Sequence, residues 1–139
     1  MVSVTTKEKT MALIQTIEPE KAEGQAKEIY DFMKENAGII PAPLQLASAS
    51  PWLLDQYWQS IQHFSQHPNL GFGLLSSLRY LVSQLYDYQF CTGFNRNILK
   101  MKGLSDEDIE EMEKDPFQAP LDDKDRAMVA FVMKAIKTP

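Results

Sequence analysis

The stretch "SQLYDYQFCTGFNRNIL" holds Cys91, the one cysteine of the chain. Tyr88 lies three residues before Cys91 and Asn95 four residues after it, a spacing that sets all three on one face of a helix. If that helix starts near Tyr88, Cys91 falls in its first turn, where the helix dipole favours a thiolate. A thiolate is a nucleophile toward peroxide oxygen or disulfide sulfur. Asn95 can hydrogen-bond a thiol or a bound oxygen but takes no proton, and Tyr88 can donate a hydrogen bond but cannot resolve an oxidised cysteine. Against this stands a packing role. Phe90, Phe94 and Ile98 are expected on the buried side of the same helix, and free cysteine is among the most buried residue types. No histidine, lysine or arginine lies within a turn on that face, and Arg96 is expected to point elsewhere.

Two other groups carry chemistry-bearing side chains. His63 and His67 are four apart, which makes half of a metal site on one helix face. His67 precedes a proline and no third ligand follows, so a solvated helix end is the expectation and no metal is assigned. The segment "DEDIEEMEKD" lacks the glycine and the alternating oxygen ligands of a calcium loop. It reads as a solvated helix face favoured by the dipole. No nucleophile elbow, phosphate loop or dinucleotide fingerprint is present, so no cofactor is assigned.

The elements that must position these residues read as helices with strong punctuation. From Pro19 to Asn36, the residues Ala22, Ala26, Ile29, Tyr30 and Met33 recur at helical spacing, and Ala37-Gly38 stops the run. "LQLASAS" predicts a short helix. Ser50 caps a helix that begins at Pro51 and carries Leu54, Tyr57, Trp58, Ile61 and Phe64. Leu74, Leu75, Leu78, Leu81, Val82 and Leu85 mark the next. The helix bearing Cys91 is predicted from Tyr88 to Lys102, with Gly103 as its C′ residue. Ser105, with Asp108 in the third helical position, starts another, which Pro116 ends. Asp122 caps the last, with an expected stripe of Met128, Phe131, Val132, Ala135 and Ile136. No strand pattern or hairpin signal occurs. The fold class is therefore all-α, with six or seven helices.

Composition bounds the rest. With 139 residues and 44% hydrophobic content, one folded domain over 1–139 is expected, with 1–17 extended or flexible. A net charge of −5 and the lack of a basic stripe argue against nucleic acid and anionic membranes as partners. One cysteine excludes an internal disulfide framework. The N-terminal stretch has no continuous apolar core of a signal peptide, and no segment has the apolar length of a membrane span. The expected address is the cytoplasm. Apolar runs such as Tyr80-Leu81-Val82 and Phe131-Val132-Met133 leave more than one apolar face, which points to a homo-oligomer.

These segments together resemble the alkylhydroperoxidase D-like, carboxymuconolactone decarboxylase superfamily. "GIIPAPLQLASASPWLLDQYW" is similar to its early segment, "SQLYDYQFCTGFNRNIL" to the core segment bearing its CxxCxxxH motif, and "KMKGLSDEDIEEM" to the link that follows. The resemblance covers residues from about 20 to 137. It implies an all-helical oligomer, and for active members a peroxide reduction that uses a glutamate, two cysteines and a histidine. The attacking cysteine falls on Cys91, the resolving cysteine on Tyr88, the histidine on Asn95, and the glutamate on Ser76 or Ser77. One catalytic position of four is thus retained.

The resemblance implies a one-cysteine thiol peroxidase, an antioxidant-type oxidoreductase in which Cys91 attacks a peroxide and an external small thiol restores it. Cys91, Asn95, Tyr88 and Ser76 are then the candidate catalytic residues. The alternative is an inactive member acting as an oligomeric scaffold or small-molecule-binding protein. A lactone decarboxylase is the third reading. Many members of the superfamily continue into further helices, which implies that another subunit covers the last stripe.

Overall fold

The computed structural model describes residues 13–138. Seven α-helices and two short 3₁₀ turns account for the secondary structure, and no strand occurs among the described residues. The chain divides into two compact units between Phe64 and Ser65, each with its own apolar core. The expectation for the first residues falls largely on 1–12, outside the described residues.

The first unit begins with a 3₁₀ turn at Pro19–Lys21, followed by α1 (Gly24–Ala37), α2 (Ala42–Ala47) and α3 (Pro51–Ser65). The helix predicted from Pro19 is broken at its start. Ala22 and Glu23 are extended and Gly24 takes φ +53, a left-handed conformation that glycine adopts at little cost. Helical spacing still located the apolar face, because Ala22, Ala26, Ile29 and Tyr30 are all buried, together with Leu44, Ala47 and Leu54. Polar contacts fix the approach to that core. The Tyr30 hydroxyl donates to the Ile17 carbonyl at 3.1 Å, and the Ile17 amide donates to Ser48 Oγ at 2.8 Å. Of the stripe predicted on α3, Leu54 is buried and Trp58 and Ile61 pack on the core, whereas Tyr57 and Phe64 are exposed.

The second unit contains α4 (Phe72–Leu85), α5 (Gln89–Met101), α6 (Asp106–Lys114), a 3₁₀ turn at Pro116–Gln118, and α7 (Asp123–Lys137). Its core joins Leu74, Tyr80 and Leu81 of α4, Leu99 of α5, Ile109 and Met112 of α6, and Val129 and Met133 of α7. The punctuation read from the sequence matches here. The Ser105 hydroxyl accepts from the Asp108 amide while the Asp108 carboxylate accepts from the Ser105 amide, a reciprocal capping box. Asp122 accepts from the Asp125 amide at 2.8 Å. Gly103 at φ +96 lets the Gly103 and Leu104 amides bond back to the Lys100 and Leu99 carbonyls, which closes α5 with a Schellman motif.

Two apolar faces differ from expectation. On α5 the buried residues are Asn95 and Leu99, while Phe90 is 47% exposed and stacks on Phe94 with centroids 6.0 Å apart. The contacts of Arg96 with Tyr80 of α4 and with Asp106 and Glu113 of α6 fix this rotation of the helix and leave Phe90 outside. On α7 the buried pair is Val129 and Met133, one turn apart, while Met128, Phe131 and Ala135 are exposed. The unbroken apolar run from Ala127 to Met133 is compatible with either face, so spacing alone could not choose between them.

Candidate functional site

The candidate site lies on the α4–α5 hairpin. Its turn is Tyr86-Asp87-Tyr88, with Asp87 at φ +54, the one non-glycine residue in the left-handed region among those described. The Tyr88 amide donates to the Ser83 carbonyl at 2.9 Å, and the Thr92 amide donates to the Tyr88 carbonyl at 2.8 Å. Tyr88 is therefore the N-cap residue, and α5 runs from Gln89. Cys91 stands in the first turn of that helix, as the sequence predicts. It is partly exposed and belongs to neither core.

The residues predicted around it are placed differently from one another. Tyr88 is 60% exposed, outside the helix, and its ring stacks on Tyr86. Asn95 is buried, and its Nδ2 donates to the Cys91 carbonyl oxygen at 2.8 Å. That amide donor is directed to the backbone of Cys91 rather than to its sulfur. Ser76 and Ser77 are both buried on α4, and where the resemblance sets a carboxylate there are two hydroxyls. Among the described residues no side chain hydrogen-bonds the Cys91 thiol. Among the described residues, a base positioned to take the Cys91 proton is missing from its hydrogen-bond contacts.

A second polar group was not foreseen. Tyr80 is 1% exposed, and its hydroxyl donates to Glu113 Oε1 and accepts from Arg96 Nη1 at 3.0 Å. Arg96 also reaches Asp106 Oδ1 at 2.9 Å and Glu113 Oε1 at 3.5 Å, and Lys100 bonds Asp106 Oδ2 at 2.8 Å. Burial pushes the Tyr80 phenol above its ordinary value, and Glu113 adds to that while Arg96 opposes it. Lys100 and then Arg96 hold the Asp106 carboxyl below the usual range. The signal in the sequence was a tyrosine within an apolar helix face, since a buried phenol needs a partner. Its partners lie 16 and 33 residues away, beyond the reach of local spacing. The group ties α4, α5 and α6 together.

His63 packs edge-on against Phe64 with centroids 5.1 Å apart. His67 Nδ1 accepts from the Asn69 and Leu70 amides at 3.2 and 3.1 Å, so this imidazole closes the turn before α4. No group of three or more His, Cys, Asp or Glu residues suited to a metal ion occurs among the described residues. No helix among them is long and apolar enough to cross a membrane. Comparison with family models, with curated proteins and with solved structures gives no match for this chain.

Proposed function

We propose that the chain is an alkylhydroperoxidase D-like, carboxymuconolactone decarboxylase-type protein of the cytoplasm, acting as a weak one-cysteine thiol peroxidase through Cys91. The observation that carries this reading is the partly exposed Cys91 in the first turn of α5, outside both apolar cores. A cysteine kept for packing would lie in one of them. The order of the quoted segments along the chain supports the family assignment.

The cycle balances with a peroxide and an external small thiol. The Cys91 thiolate attacks the terminal oxygen of a hydroperoxide, the O–O bond breaks, and the leaving alkoxide takes a proton to become an alcohol. Cys91 is thereby oxidised to a sulfenic acid. One thiol condenses with it, releasing water and forming a mixed disulfide. A second thiol attacks that disulfide, restores Cys91 and leaves the oxidised thiol pair. With serines at 76 and 77 and asparagine at 95, thiolate formation is left to the helix terminus and solvent, which is the reason for a low rate.

Peroxide consumption with a small-thiol reductant tests the proposal. Turnover is expected to fall at least about tenfold in Cys91→Ser, and a thiol reagent is expected to label the folded wild type. Equal turnover in the two proteins, or a thiol that reacts only after unfolding, overturns it. Those results would favour the second reading, an inactive oligomeric scaffold, to which the commitment of Asn95 to the Cys91 carbonyl lends support.

We further propose a homo-oligomer, on the strength of large apolar side chains left in solvent. Trp52 is 71% exposed and Phe131 68%. Light scattering at micromolar concentration is expected to give a multiple of the 15.9 kDa chain mass, with Phe131→Glu moving it toward the monomer. A monomeric wild type refutes the proposal.

A further inference from the structure

A shallow cleft of about 360 Å³ lies between the 3₁₀ turn at Pro116–Gln118 and the C-terminal half of α7. Its α7 wall is Ala130, Met133, Lys134 and Lys137, which follow one another at i, i+3, i+4 and i+7 and so form one stripe of the helix. The stripe is graded, with the apolar residues at its start and the two lysines at its end. The other wall includes Phe117, a residue 59% exposed. The cleft is thus apolar at one end and cationic at the other.

The charges leave the cationic end open to a ligand. Neither Lys134 nor Lys137 has an acidic partner within ion-pair distance among the described residues. Asp115 also borders the cleft, but its carboxylate accepts from the Phe117 amide at 3.0 Å and from Gln118 Nε2 at 3.2 Å. The end of α7 contributes about half a negative charge. Part of that is already met, because the Thr138 amide and hydroxyl both donate to the Lys134 carbonyl. Lys134 and Lys137 bring two ammonium groups to the lining, against the one carboxylate of Asp115. Lysines in a last turn commonly offset the dipole.

We propose that this cleft binds a small amphiphilic carboxylate, a medium-chain acyl anion. Its tail lies on Phe117, Ala130 and Met133, and its head sits between Lys134 and Lys137. A volume near the lower end of the range of ligand pockets fits a single short chain rather than a larger cofactor. The proposal is independent of Cys91, which lies in the first turn of α5 and does not line the cleft.

Titration of the full chain with sodium octanoate, followed by NMR on the backbone amides and the Phe117 ring, tests it. Saturable shifts in the submillimolar range are expected at Phe117, Ala130 and Lys134. Octanol shares the tail without the charge, and acetate shares the head without the tail. Each is expected to bind at least about tenfold more weakly. Lys134→Glu with Lys137→Glu should weaken octanoate by about tenfold or more, and so should Phe117→Ala. All three residues are exposed, so these variants are expected to keep the wild-type circular dichroism. Absence of saturation overturns the proposal, as does octanol binding as tightly as octanoate. Octanoate binding that both variants leave unchanged also overturns it.

Discussion

Tyr80 carries its hydroxyl into an otherwise apolar interior, where Glu113 accepts its proton bond and Arg96 donates to its oxygen. Tyr80→Phe removes both bonds and leaves two charged groups facing a ring edge. A loss of about 1–3 kcal/mol is expected in urea denaturation. The pH dependence has a definite sign. Burial raises the phenol above its ordinary value of 10.0, so between that value and the folded one the unfolded chain has released a proton that the folded chain keeps. The stabilisation is complete below pH 10.0 and is lost as pH rises further. The alkaline fall in stability should therefore be shallower in Tyr80→Phe, and identical alkaline slopes in the two proteins would refute the assignment. At this scale the sequence revealed Cys91 in the first turn of α5 and Arg96 directed away from it, because both follow from helical spacing. It did not reveal what Arg96 meets, since Tyr80 and Glu113 come from other helices. It also misdirected Phe90, because the Arg96 contacts set the rotation of α5.

Helix ends were the most legible elements. Ser105 and Asp108, Asp122, and Gly103 announce their caps through short-range chemistry that tertiary packing does not alter. Ser105→Ala should cost about 1 kcal/mol and raise amide exchange in the first turn of α6. The Asp108 carboxyl is held below its ordinary 3.8, first by the Ser105 amide and then by the Ser105 hydroxyl. Its contribution is present above pH 3.8 and fades as pH falls through the lowered folded value. Ser105→Ala should flatten that acid limb. An unchanged acid limb in the variant would show that the box adds nothing to stability. Faces were less legible than ends. The run Ala127–Met133 offers apolar residues all round, and the core of the second unit selected Val129 and Met133. The start of α1 failed for another reason, since Gly24 permits a backbone conformation that no pattern of side chains announces.

Over the whole chain, the fold class follows from composition and periodicity, while the division into two cores does not, because periodicity marks faces without saying which of them meet. Each core rests on a few side chains with almost no exposure, such as Leu44 at 1% in the first unit and Ile109 at 0% in the second. Leu44→Ala and Ile109→Ala should each cost about 2–5 kcal/mol in thermal or urea unfolding. The three-residue turn Tyr86-Asp87-Tyr88 has a consequence in time rather than in energy. It brings Tyr80 against Arg96, 16 residues later, so the contacts between α4 and α5 close a short loop at small entropic cost. Contacts of such short sequence separation form early. The hairpin that carries Cys91 is then the part of the second unit expected to assemble first, with α7 condensing onto it. Leu81→Ala should therefore slow refolding in stopped-flow measurements, whereas Val129→Ala should chiefly speed unfolding. The reverse assignment of the two rate changes would place the nucleus at the end of the chain instead.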